Sequence, residues 1–458
     1  MIPMWGSLGK ETVLTKAVNN IDAVTINLVH AYDDTQDKFI KTIMKLDSSK
    51  TILLELEWPI IRNKAVDILT YKVWDKLILD FSDYLEKEDA KIFINYIYTD
   101  DIPIWTQILF ADSKVILQVK SKDSIWQCMV ECLSGWDILP NKRVIFGDYI
   151  PKIDFVNSRD TRDLLRGIGN NVNTIMASYV KTAEDMADLR KFLDDNSGKH
   201  VKIFAKCQTE EFLQNYADIS KKCDGVIIKP SKLKELTTEH EGYFTKIVEK
   251  FNYHGKPIII AVDKSEIDAQ SDKKVFLENY VRNGADCILL GQDILALEDP
   301  TDYIIEIYQY ITNIQSLAKA KIDYEKAKID EDYKINDYIT YTWYRAINEL
   351  WIRAIICYTE NGYTAAKLSS YRPDIPIVAF TKNDATYRYI NLLRAIRWYR
   401  ISPNFDYHSI KQTGKEIIRM IFKWSITLED RILVVHASNL DVWENIINGI
   451  ELYKFKDI

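Results

Sequence analysis

The chain has 458 residues, a formal net charge of −7 and a 47% hydrophobic share. At roughly 150 residues per domain the length predicts about three domains, and 11 Trp, 27 Tyr and 16 Phe exclude a disordered chain. The acidic balance argues against a whole-chain nucleic-acid binder, and no run approaches the roughly 18 apolar residues of a membrane-crossing helix.

Short apolar runs at 2–5, 23–29 and 51–56 read as strands. Residues 63–154 read differently. There, 91–98, 111–120 and 123–133 are rich in Val, Ile and aromatics with partial alternation, which predicts a small all-β insertion. The first pattern then resumes at 174–180, 201–206, 225–229, 257–262 and 287–291. These runs recur roughly every 30 residues, the spacing of strand–helix units. Runs apolar on both faces, such as Lys256-Pro-Ile-Ile-Ile-Ala-Val262, fit a parallel sheet covered by helices. Thr182-Ala-Glu-Asp185 is close to a capping box, and Met186, Leu189, Phe192 and Leu193 follow at helical spacing. Thr209-Glu-Glu-Phe opens another helix in the same way. Eight strands alternating with helices predict a (β/α)8 TIM barrel, interrupted after its third strand.

Beyond residue 315 the pattern changes. Residues 318–337 form a charged, helix-prone connector, followed by one long amphipathic helix and strand candidates at 354–359, 375–380 and 431–436. The expected fold class is therefore α/β, in three parts. Residues 1–62 and 155–315 form the barrel, 63–154 a small inserted β-barrel domain, and 316–458 a C-terminal α/β domain.

Cys128, Cys132, Cys207, Cys223, Cys287 and Cys357 include no CxxC pair, and the six His are scattered. Neither residue type is spaced as a metal site, so reduced thiols and a cytoplasmic location are expected. The first residues, Met1-Ile-Pro-Met-Trp-Gly, lack the basic and apolar regions of a signal peptide. Glycine is scarce, at 15 residues, about 3% where roughly 7% is usual.

The order barrel, β insertion, barrel, α/β domain resembles that of the pyruvate kinase family, and the residues extend the likeness. Ile175-Met-Ala-Ser-Tyr-Val-Lys-Thr-Ala-Glu-Asp-Met186 is similar to the family segment IALSFVRSAEDV. Asn283-Gly-Ala-Asp-Cys-Ile-Leu-Leu290 resembles DGADAVML, Lys256-Pro-Ile-Ile-Ile-Ala resembles KPVICA, and Asp224-Gly-Val-Ile resembles DGIM. Tyr358-Thr-Glu-Asn-Gly-Tyr-Thr-Ala and Ser370-Tyr-Arg-Pro373 resemble TESGRTA and KYRP. Each match is short, but they keep their order along nearly the whole chain.

The resemblance implies transfer of a phosphoryl group between phosphoenolpyruvate and ADP, which rests on positioning and charge neutralisation by metal ions and cations. The departures fall at that chemistry. The family's metal-binding Glu, in KIEN, aligns with Gln208, and its metal-binding Asp, in ARGDLG, with Lys232. Hard cations need oxygen anions, so the family's magnesium site is expected to be lost. RLNFSHG aligns with Thr25-Ile-Asn-Leu-Val-His-Ala31. Thr25 thus replaces a phosphate-binding Arg and Val29 a potassium-ligating Ser, while Asn27 and His30 are kept. DTKGPEIR aligns with Glu55-Leu-Glu-Trp-Pro-Ile-Ile-Arg62. Glu55 and Leu56 replace potassium-binding Asp and Thr, and Arg62 is kept. Val262 stands where the family places a Thr hydroxyl near the substrate. Lys206 and Ser178 are also kept. Four family glycines at ligand-facing turns read Ala31, Trp58, Ser231 and Lys234.

The blander readings carry weight. Lys206 without metal partners reads first as a remnant or an anion-binding group, alone or with Lys232. His30 reads as a packed side chain and the nucleotide-site remnant Arg62 as a structural ion pair. In the third domain Thr359, Asn361, Gly362 and Thr364 keep part of the family's sugar-phosphate loop, and can equally be a plain helix start. Aromatic- and Arg-rich stretches around 338–344 and 389–399 are candidate interfaces, or core.

The expected function is a non-catalytic pyruvate kinase-like subunit in glycolysis, without magnesium or potassium. Its partner would be an active paralogue in a hetero-oligomer, a tetramer by resemblance, or a second copy of itself. No nucleic acid or membrane is expected as partner. The alternatives are an altered phosphotransferase or lyase using Lys206, and a sensor of a small phosphorylated metabolite.

Overall fold

A computed structural model describes residues 1–4, 11–27, 33–56, 61–63, 68–81, 91–94, 102–110, 114–124, 126–135, 137–140, 142–147, 155–156, 158–317, 335–402, 405–436 and 449–458. These fall into two compact units, residues 1–57 with 158–458, and residues 58–157.

The first unit holds an eight-stranded parallel sheet. Its strands, in spatial and chain order, are Ile2–Pro3, Ala23–Asn27, Thr51–Glu55, Thr174–Ala177, Lys202–Cys207, Gly225–Ile228, Ile258–Val262 and Cys287–Leu290. The Leu290 amide donates to the Met1 carbonyl at 3.2 Å and brings the last strand back beside the first. All eight predicted barrel runs are present, each ending within a few residues of its expected bound. Thr174–Ala177 and Gly225–Ile228 are buried at every position, as strands covered on both faces must be. Gly225 is required where it stands, because a Cβ there would meet the Phe204 ring at 2.3 Å.

Helices cover the sheet with the caps the sequence announced. Thr182 and Asp185 form a complete capping box, and the Thr209 hydroxyl accepts from the Phe212 amide at 3.1 Å. Asp263 with Glu266, and Asp272 through the Val275 amide, cap two more.

The same unit includes the C-terminal α/β domain. Its five-stranded sheet runs in the order Ile396–Arg400, Ile377–Thr381, Ile352–Tyr358, Arg431–His436, Gly449–Lys454, with only the last strand antiparallel. Two of these strands were not foreseen. Ile396–Arg400 overlaps the stretch 389–399 read as interface or core, and core holds for its first part. Tyr389, Ile390, Leu392 and Leu393 are core, and the Arg-rich segment after them is an edge strand. Likewise Trp343 is buried, whereas Thr342 and Arg345 on the same helix are exposed. The helix Ile335–Glu349 stands where the long amphipathic helix was expected. Most of the predicted connector, 318–334, lies outside the described residues.

Barrel and third domain share a core. One hydrophobic cluster joins Ala23, Leu53, Met176, Phe204, Ile227, Ile259 and Leu289 of the barrel to Ile355, Leu433 and their neighbours. Polar contacts reinforce it. Arg372 forms an ion pair with Asp286, with side chains only 1% and 3% exposed, and also donates to Asn252 Oδ1 at 2.9 Å and Gly284 O at 2.5 Å.

The second unit is built on a six-stranded sheet, Val144–Ile145, Gln107–Phe110, Ile116–Ser124, Gln127–Ser134, Lys76–Asp80 and Lys91–Phe93, mostly antiparallel. Alternating buried Leu117, Val119, Cys128, Val130 and Cys132 form its core. Its turns carry an unusual feature. Trp74 and Trp105 have φ of 77° and 79°, in the left-handed region that normally takes glycine. Asn171, Tyr179, Ser197, Trp351, Arg372, Ala395 and Lys423 share that backbone in the first unit. The glycine shortage therefore reaches the turns themselves, where larger residues adopt a glycine-like conformation.

Candidate functional site

In a parallel barrel the C-terminal ends of the strands meet at one face, where binding groups collect. Asn27, Glu55, Lys206, Gln208, Lys229 and Asp263 all lie at or just beyond those ends.

Glu55 and Lys206 come from strands separated by the strand Thr174–Ala177. Their side chains meet in an ion pair, at 16% and 17% exposure. Asn27 Nδ2 donates to the other Glu55 oxygen at 3.1 Å. Lys206 therefore faces the Glu55 carboxylate, and Asn27 completes the cluster. Gln208 accepts from the Tyr179 amide through Oε1 at 3.1 Å. Tyr179 itself has φ of 53°, and a bulky residue held left-handed is stable only where its surroundings fix it.

Lys232 sits on a short helix, Pro230–Leu236, which opens with Pro directly after the strand Gly225–Ile228. Its ammonium pairs with Glu235 at 2.7 Å on the exposed side. Lys206 and Lys232 thus hold separate carboxylates and do not form a joint anion clamp. Ser231 and Lys234, both expected by resemblance to stand for glycines, lie on this same helix.

A second ion pair was not foreseen. Lys229 Nζ donates to Asp263 Oδ2 at 2.5 Å, across the ends of two adjacent strands. Asp263 follows Val262, which is buried and has no proton to relay. The signal was present in the sequence: opposite charges immediately after two apolar runs that neighbour each other in a barrel. Gly291 makes room for this carboxylate, since a Cβ there would come within 2.0 Å of Asp263 Oδ1.

Thr25, Leu56 and Ser178 are buried near the strand ends, with the Leu56 amide bonded to Met176 O at 3.2 Å. Val29, His30, Ala31 and Trp58 lie outside the described residues. Arg62 belongs to the second unit, where its backbone bridges Arg143. Among the described residues no three His, Cys, Asp or Glu side chains form a metal-sized cluster. No cysteine is in a disulfide, and burial pushes the Cys207 thiol up to about 12. No helix among the described residues is long and apolar enough to cross a membrane.

The loop of the third domain bonds partly to itself. Thr359 Oγ1 accepts from the Gly362 amide at 3.1 Å, and Asn361 Oδ1 from the Tyr363 amide at 3.0 Å. Gly362 has φ of 88°, Thr364 is buried, and Glu360 adds a carboxylate bonded by the Tyr358 hydroxyl at 2.6 Å. Two amides at this helix start, those of Gly362 and Tyr363, are thus bonded to side chains of the loop rather than turned to a ligand.

On the far side of the barrel, a cavity of about 610 Å³ is lined by Asp22, Asp286, Tyr308 and Asn391 among others. Asn391 Oδ1 is buried there with no hydrogen-bond partner among the described residues.

Comparison with known proteins agrees with this architecture. Residues 7–301 match the pyruvate kinase barrel domain and residues 337–442 the pyruvate kinase alpha/beta domain. A protein named pyruvate kinase from Geobacillus stearothermophilus is 25% identical over 410 residues, covering 85% of this chain and 69% of the relative. Those of the same name from Bacillus licheniformis and Clostridium perfringens are 27% identical over 414 and 381 residues, covering 85% and 79% of this chain and 69% and 79% of the relatives.

Proposed function

The chain belongs to the pyruvate kinase family, and from that premise we propose that it is a member without pyruvate kinase activity, retained as a subunit that binds and stabilises or regulates an active paralogue. The observation that carries this reading is the pairing of Lys206 with Glu55. A cation that must meet a developing negative charge is here neutralised by the protein itself, and a pre-paired group gives little further stabilisation at the transition state.

The donor set supports the same reading. An amide and an ammonium, Gln208 and Lys232, stand at the two positions the family fills with metal-binding carboxylates. The amide oxygen is bonded to Tyr179 and the ammonium to Glu235. These residues do not fit a divalent cation held in the family's manner.

The intact framework supports a role for surfaces. The barrel and third domain keep a shared core while the mouth has changed its chemistry. The test is a magnesium-dependent assay of the purified chain with phosphoenolpyruvate and ADP. No ATP above background is expected, and ATP formation lost on Lys206→Ala would overturn the reading. Co-expression with a pyruvate kinase of the same cell tests the partner, and recovery of this chain only as a homo-oligomer would count against it.

A further inference from the structure

At the end of the third domain's sheet where the strands Ile352–Tyr358 and Arg431–His436 begin, several large apolar side chains stand in solvent. Trp424 is 99% exposed, Trp351 82% and Leu428 62%. Trp424 and Leu428 line one groove, and a ring contact links the strand that follows Trp351 to the helix that precedes Trp424. Trp351 is two residues from Arg353, whose guanidinium lies 4.8 Å over the Phe422 ring, and Phe422 is two residues from Trp424. Arg431 closes the arrangement by donating to Leu350 O at 2.9 Å. Patches of this kind mark interaction sites on otherwise polar surfaces.

The surface contains a groove of about 460 Å³ lined by Arg419, Lys423, Trp424, Ile426, Leu428 and Phe455. Its lining carries two positive charges and no negative one. Among the described residues neither Arg419 nor Lys423 forms an ion pair, while the nearby Glu429 is occupied by Lys454 and Lys456 at 2.6 and 2.5 Å. On a chain of net charge −7, the groove is a local basic and aromatic site.

We propose that this groove docks an acidic, apolar segment of a partner protein. One large apolar side chain would sit against Trp424, Ile426 and Leu428, and flanking carboxylates would meet Arg419 and Lys423. Charge complementarity selects this occupant. A second copy docking by a two-fold axis would bring the same cations against themselves. A lipid surface would engage the exposed Trp424 alone, without drawing on the two cations, and vesicle binding distinguishes these occupants. The proposal does not depend on the barrel's chemistry, and its test does not measure it.

The experiment uses the full chain and two labelled synthetic peptides of about twelve residues, one alternating Leu or Phe with Asp or Glu, the other with Lys in place of the acids. Fluorescence anisotropy should show saturable binding of the acidic peptide only, with Kd on the order of micromolar. Trp424→Ala, and Arg419→Glu with Lys423→Glu, should each weaken it at least about tenfold. Circular dichroism melting of the variants should match the parent, because these side chains are exposed. Failure of the acidic peptide to bind, equal binding of the basic peptide, or unchanged binding by the variants would overturn the proposal. So would phosphatidylserine vesicles that bind the parent but not the variants, or self-association abolished by Trp424→Ala.

Discussion

Lys206 reaches past the strand Thr174–Ala177 to pair with Glu55, so that two residues from non-adjacent strands neutralise each other at the barrel mouth. Removing the carboxylate should therefore uncover the cation. Glu55→Gln is expected to bind oxalate or phosphate at least about tenfold more tightly than the parent by isothermal titration, with a stability loss of about 1–3 kcal/mol. The added Lys206→Met substitution should abolish the new binding. Equal anion affinity in the parent and Glu55→Gln would mean that the pair does not mask Lys206.

The donor set can be reversed. Gln208→Glu with Lys232→Asp takes the two positions from a charge of +1 to −2, and oxygen anions are what a hard divalent cation requires. The double variant is expected to bind Mn²⁺ by titration calorimetry, and the parent is not. Comparable Mn²⁺ binding at the parent's mouth would refute the donor-set argument.

The Arg372–Asp286 pair is buried between the barrel and the third domain, so breaking it from one side leaves a charge without its partner. Arg372→Ala should cost about 3–5 kcal/mol by urea denaturation, with a smaller loss for Arg372→Met combined with Asp286→Asn, which keeps an oxygen for the Ile258 and Arg394 amides. Equal losses for the single and the double change would show that packing, rather than charge, dominates there.

Asp224 gives the barrel a dependence on acid. Burial pushes its carboxyl up, but Lys202, Arg190 and the Ile203 amide outweigh burial and hold it below the ordinary aspartate value of 3.8. A carboxyl lowered on folding stabilises the native state above its unfolded value, and that contribution disappears as pH falls through the folded value. Stability should therefore drop as pH falls below about 4, more steeply in the parent than in Asp224→Asn. Parallel curves for the two proteins would remove Asp224 from the acid response.

Trp74→Gly and Trp351→Gly should each raise stability by about 0.5–1 kcal/mol, measured as a higher urea midpoint. A left-handed backbone costs a non-glycine residue about 1–2 kcal/mol, only part of which glycine's extra unfolded-state entropy offsets. A fall in midpoint would show that these indoles are held by contacts worth more than the strain.

The barrel was legible because its strands are buried on both faces, and burial leaves an uninterrupted apolar run such as the one ending at Val262. The strands Ile396–Arg400 and Gly449–Lys454 were not. Each lies at a sheet edge, where half the side chains face water and the sequence reads as Arg-Trp-Tyr-Arg or Glu-Leu-Tyr-Lys. At the site, resemblance to family motifs implies which residue types differ. It could not say that Glu55 would turn to Lys206, or that Lys232 would turn away to Glu235. Those pairings depend on which strand ends become neighbours and on a helix that begins at Pro230.

Gln208 keeps an oxygen on the Tyr179 amide, which either a carboxylate or an amide side chain can supply. The likeness to family members implies that a single oxygen-to-nitrogen exchange stands between this residue and theirs. The local contour of the mouth can thus outlast its electrostatics, with the same backbone turn clasped by a neutral group. Superposition on a relative would register outline alone, so shape and charge at this mouth are separate questions.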